Sequence, residues 1–128
     1  MKKILYFIPT AIYYLLIFQV SSWDLGIRLD RHGVDKVAHA AEFGLLALLL
    51  AVGFFNVLKA SNRVKTAAVL MSGLGLAALD EFHQLFVRGR KADVYDWLAD
   101  AAGLVGGVLI FKYFLKKKKG QDREMGPD

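Results

Sequence analysis

Four apolar runs, roughly Ile4 to Val20, Val37 to Leu58, Val64 to Val87 and Val94 to Leu115, take up most of the chain, and each has about the 17 to 25 residues a helix needs to cross a bilayer core. In a chain of 128 residues they leave room for one domain with short links. The links carry helix punctuation: Ser21-Ser22, Asp24, Gly26, Asp30 and Gly33 before the second run, Ser61-Asn62 before the third, and Gly89 with Asp93 before the fourth. Short links join antiparallel neighbours. The expected fold is therefore all-α, a transmembrane up-down bundle of four helices spanning residues 1–116, with a basic, disordered tail at 117–128.

Orientation follows from the basic residues. Lys2, Lys3, Lys59, Arg63, Lys65, Lys112, Lys116 to Lys119 and Arg123 make eleven on one side, against the six of Arg28, Arg31, Lys36, Arg88, Arg90 and Lys91 on the other. Such asymmetry predicts both termini in the cytoplasm and the first and third links facing outward, as expected of a multi-pass membrane protein. The net charge of +5 sits at the ends of apolar runs and forms no basic face, so nucleic acid is not an expected partner. Lys2-Lys3 followed by an apolar run and Val20-Ser21-Ser22 also resembles a secretory signal. The run exceeds the usual apolar region of about 7 to 15 residues, which favours an uncleaved anchor.

With 55% hydrophobic residues and no cysteine, any chemistry must come from carboxylates, His, Lys, Arg or hydroxyls. Those groups are concentrated. At about 1.5 Å per residue, His39 and Glu42 fall about 6 to 10 Å below the start of the second helix at Asp35, and Asp80 and Glu81 about 10 Å below the end of the third run. Asp100 lies a similar distance below Asp93. Three helices thus deliver ionisable groups to one outer layer. His39 and Glu42 share a helix face, as do Asp80, Glu81, Gln84 and Arg88, and again Asp93, Asp96, Asp100, Gly103 and Gly107. Gly103, Gly106 and Gly107 permit close helix approach, and Gly73, Gly75 and Ala77 offer the third helix a matching surface. A charge in a spanning helix is penalised by up to about 2.5 to 3.5 kcal/mol, so these groups must be paired or functional. Arg90 and Arg88 are the expected counter-ions. A buried salt-bridge network fixing helix register is the structural alternative to a site. Asp30 and His32 read as exposed loop groups, and Tyr13, Tyr14, Trp23 and Trp97 as interface anchors or packing.

The pattern Asp35-Lys36-x-x-His39-x-x-Glu42-Phe43, then Asp80-Glu81-x-x-Gln84, then Arg90, Asp96 and Gly103, resembles the VanZ-like family of small membrane proteins. The likeness runs from about Asp35 to Gly107. It departs where the family typically has Asn, here Asp100, and where it often has Pro, here Arg88. The resemblance implies a multi-pass protein of the bacterial inner membrane with a role at the envelope linked to susceptibility to the glycopeptide teicoplanin, and no established reaction.

The expected binding residues are Asp35, Lys36, His39, Glu42, Asp80, Glu81, Gln84, Arg90, Asp96 and Asp100. A mixed-sign pocket at headgroup depth suits an envelope lipid, a lipid-linked cell-wall precursor or a glycopeptide, with Arg90, Lys36 and His39 on an anion and Glu81, Gln84 and Asp96 on hydroxyl or amine groups. A second reading is a membrane-embedded enzyme in which Glu42 or Glu81 acts as acid or base beside His39. A third is a proton-coupled carrier, which with so few polar groups in its inner half (Asn56, Ser72, Lys112) would have to be an oligomer. No cofactor or metal is expected: His39, Glu42, Asp80 and His83 offer ligands at i,i+3 on two helices, but bundle metal sites use a larger fixed set.

Overall fold

A computed structural model describes residues 2–22 and 33–126. Trp23, Asp24, Gly26, Arg28, Asp30, Arg31 and His32 of the first link lie outside the described residues. A 3-10 turn at Ile4–Phe7 leads into α1 (Ile8–Ser21), followed by α2 (Val34–Val57), α3 (Asn62–Gln84) and α4 (Val94–Glu124). Pro9 falls in the first turn of α1, where its missing N–H has no intrahelical partner to lose. α2 starts after Gly33 at φ 121°, a conformation that residues with a Cβ rarely adopt. The Ser61 hydroxyl accepts from the Val64 N–H to cap α3, and the Asp93 carboxylate accepts from the Tyr95 N–H at 2.8 Å to cap α4.

Contacts fix the topology. Lys36 meets Asp96 and His39 meets Asp100, so α2 and α4 run parallel. Glu81 meets the backbone of Asp93, and Gly73 lies under Leu104, so α3 runs antiparallel to α4. Phe7 covers Gly53 and the Tyr13 hydroxyl donates to the Glu42 carbonyl at 3.2 Å, so α1 runs antiparallel to α2. The Tyr14 hydroxyl donates to the Leu76 carbonyl at 2.9 Å and ties α1 to α3. This is the expected up-down bundle, with α1 packed into it.

The most extensive contact joins α2 to α4, which are not sequence neighbours. Its cause is a seam of glycines. Gly103 lies against the Ala40 carbonyl and Gly107 against the Gly44 carbonyl and the Ala47 methyl, so that no side chain separates the two backbones. Gly73 is covered by the Leu104 side chain, while Gly75 and Gly106 have open space where a Cβ would stand. The close approach expected between the third and fourth helices therefore belongs to the second and fourth. Phe43, Leu46, Ala47, Val69, Ala77 and Leu104 form the buried apolar core around it.

Outside the core the apolar residues point away from the protein: Leu15, Met71 and Leu109 are 66%, 71% and 61% exposed. Polar groups inside and apolar groups outside is the arrangement that a lipid solvent favours. Three segments, Ile4–Ser21, Val34–Val57 and Val94–Glu124, are long and apolar enough to cross a membrane. α3 has the length, with 23 residues, but carries Arg63 and Lys65 at one end and Asp80, Glu81, His83 and Gln84 at the other. α4 differs from the sequence expectation. In place of a disordered tail from Lys117, the helix continues to Glu124, because Lys, Gln, Arg and Glu are good helix formers and no proline interrupts them before Pro127. Its basic residues Lys112, Lys116, Lys119 and Arg123 line a cavity of about 450 Å³ with Phe55 and Asn62, at the opposite end of the bundle from the acidic layer.

Candidate functional site

The C-terminal end of α3 and the N-terminal ends of α2 and α4 meet in one layer, as helix rise predicts. Within it His39, Asp80, Glu81, Gln84, Asp96 and Asp100 are buried, Lys36, Glu42 and Arg90 are half-buried, and Asp35 is exposed. Arg88 is exposed as well, outside the layer.

The pairing within the layer differs from the sequence expectation. Lys36, not Arg90 or Arg88, is the main counter-ion: its ammonium pairs with Asp96 and also with Asp93 at 3.0 Å. Among the described residues neither arginine forms an ion pair with a carboxylate. His39 Nδ1 stands 2.9 Å from Asp100 Oδ1, and its Nε2 stands 3.9 Å from Asp96 Oδ2. Helical spacing explains the set: Lys36 and His39 are i,i+3 on α2, Asp96 and Asp100 are i,i+4 on α4, and parallel helices match the pairs in order.

Asp93 ties three helices together. Its Oδ1 caps α4, its Oδ2 accepts from Lys36, and its N–H donates to Glu81 Oε2 of α3 at 3.0 Å. The Lys36 ammonium hydrogen-bonded to it holds the Asp93 carboxyl below its ordinary value of 3.8, helped by the Tyr95 N–H.

α1 adds what the sequence did not mark as functional. A cavity of about 70 Å³ is lined by Ile17, Val20 and Ser21 of α1 together with Asp35, His39, Glu42, Asp80, Gln84 and Arg90. Ser21 had only the signal of helix punctuation, and its part in the cavity depends on how α1 docks. Gln84 Nε2 donates to Asp80 Oδ2 at 3.0 Å, which leaves Asp80 Oδ1 and Gln84 Oε1 buried with no partner among the described residues. Ser21 Oγ, Glu81 Oε1 and Asp100 Oδ2 are in the same state. An amide oxygen only accepts, and so does an ionised carboxylate oxygen. A buried acceptor without a donor costs about 1 to 3 kcal/mol, more when ionised, so these acceptors leave hydrogen-bonding capacity unmet among the described residues.

His83 does not join the layer. The Ser22 hydroxyl donates to the Phe18 carbonyl at 2.7 Å and accepts from His83 Nε2 at 2.8 Å, while the imidazole stacks on Phe18 with ring centres 3.9 Å apart. Of His39, Glu42, Asp80 and His83, the first three line the cavity and His83 stands apart from them. Two other groups bring one ligand atom from each member within 4.8 Å of the rest: Asp35, His39 and Asp96, and His39, Glu81 and Asp100. Trp97 packs against the core, and Tyr13 and Tyr14 hold α1 in place, as packing residues would.

No curated protein and no solved structure matches the chain. The VanZ/LLP1 family model matches residues 1–116, which take in α1, α2, α3 and α4 as far as its basic end, and the chain therefore belongs to the VanZ/LLP1 family.

Proposed function

We propose that this membrane protein binds an amine-bearing headgroup of an envelope lipid or lipid-linked cell-wall precursor, in the bacterial cytoplasmic membrane and with the polar layer facing outward. The observation that carries the reading is the 70 Å³ cavity with acceptors on its wall: Asp80 Oδ1 and Gln84 Oε1 have no donor among the described residues. A primary ammonium has three N–H donors and is small enough for such a space. Glu42 and Asp35 add negative charge around it, and Arg90 gives the same cavity one guanidinium for a phosphate or carboxylate. The ligand that fits this chemistry is zwitterionic. Lys36 and His39, by contrast, already face carboxylates, which argues against their holding an anion. On this reading the protein alters how a glycopeptide reaches its precursor, the link to teicoplanin that the family resemblance implies.

Native mass spectrometry of the detergent-purified protein tests the proposal. An amine-bearing lipid or precursor should co-purify with the wild type and be lost in Asp80→Asn. Equal retention of phosphatidylglycerol or cardiolipin, which have no amine, would count against it. The His39–Asp100 hydrogen bond favours a second reading, an acid or base oriented by a carboxylate, as in enzymes that move protons. Turnover of a co-purified lipid that stops in His39→Gln would favour that reading over simple binding.

A further inference from the structure

Negative charge in the buried layer exceeds the positive charge available to it. Lys36 serves Asp93 and Asp96, and His39 serves Asp100, but among the described residues no cationic side chain pairs with Glu81. Glu81 accepts the Asp93 N–H through Oε2, and Asp100 faces His39 through Oδ1. Their second oxygens, Glu81 Oε1 and Asp100 Oδ2, are buried with no partner among the described residues, in residues only 8% and 0% exposed. One nitrogen of His39 and one oxygen each of Glu81 and Asp100 lie within 4.8 Å of one another. The three come from α2, α3 and α4, so the cluster is a product of packing and not of local sequence.

We propose that His39, Glu81 and Asp100 form a binding site for one divalent transition-metal ion of the zinc or manganese class. An imidazole with two carboxylates suits such ions, whereas calcium and magnesium favour all-oxygen shells. The alternative cluster, Asp35 with His39 and Asp96, already has the Lys36 ammonium on Asp96, and a metal ion there would have to displace it. Around Glu81 no such cation stands among the described residues. On the α3–α4 side Glu81 also lines a groove of about 300 Å³ with Ala78, Ala92, Asp93, Val94 and Trp97. His39 also lines the cavity that takes the proposed headgroup, but Glu81 and Asp100 do not, so variants at Glu81 and Asp100 tell the two readings apart.

The test titrates the purified full-length chain, stripped with a chelator in detergent, with Zn²⁺ and in parallel with Mn²⁺, reading heat and metal content. The wild type should bind about one equivalent of at least one of the two, with Glu81→Gln and Asp100→Asn each weakening it more than about tenfold and Asp122→Asn, exposed near the far end of α4, changing it by less than about twofold. Circular dichroism checks that each variant is helical. Failure of the wild type to take up either metal at millimolar concentration overturns the proposal, and this result needs no variant to fold. Loss of binding in Asp35→Asn with no change in Glu81→Gln also overturns it, by assigning the ion to the other cluster.

Discussion

Gly103→Ala tests whether the α2–α4 seam holds the polar layer together. A Cβ on residue 103 would fall on the Ala40 backbone carbonyl, and neither backbone can rotate away as a side chain could. To reach an ordinary carbon–oxygen separation of about 3.3 Å the helices would have to part by on the order of 1 Å. His39 precedes Ala40 and Asp100 lies one turn before Gly103, so that movement lengthens a 2.9 Å bond to about 4 Å, beyond hydrogen-bonding range. Overpacking costs about 1 to 3 kcal/mol, and loss of a hydrogen bond to a charged group about 1.5 to 3 kcal/mol more. The expected destabilisation is thus roughly 2.5 to 6 kcal/mol, a large share of a typical total of 5 to 15. Gly106→Ala is the control: among the described residues nothing lies within 4 Å of its Cβ, and alanine is the better helix former by about 1 kcal/mol. Thermal melting in detergent, followed by circular dichroism, compares the two. If Gly103→Ala melts with Gly106→Ala, the helices are not held at backbone contact and the reasoning fails.

Reporter fusions near Glu124 and near Arg90 check the topology: the first should be active only as a cytoplasmic reporter and the second only as a periplasmic one, because basic residues favour the cytoplasmic side. The reverse pattern would invert the bundle. For pH dependence, the Asp93 carboxyl is held below its ordinary 3.8 by Lys36, so its contribution is present above that value and lost as pH falls through the lower folded value. Asp93→Asn should therefore narrow the fall in melting temperature between about pH 5 and pH 3, and an unchanged profile would remove Asp93 from the acid response.

Asp80, Glu81 and Gln84 show how far the sequence reaches. Their steps along an apolar helix place them on one face and at one depth, and rise per residue alone brings them level with His39 and Asp100. Ser61 and Asp93 are as legible, because a cap depends on the chain within three residues of itself. The choice of counter-ion is another matter. Arg90 is nearer in sequence to the acids of α3 and α4, yet Lys36 reaches Asp96 from a helix that starts sixty residues earlier.

Apolar run length, caps and motif spacing are all local properties, and the set of helices, their alternation, the polar layer near one end and the recognisable motif pattern follow from them alone. The tertiary structure decided that α2 and α4 approach through Gly44, Gly103 and Gly107, that Lys36 and His39 therefore take the aspartates of α4, and that Ser21 closes a cavity over Asp80 and Gln84. The physical reason is that periodicity gives each helix a polar face but not the neighbour that face meets. That choice rests on which backbones can come closest, and it is made only when all the helices pack.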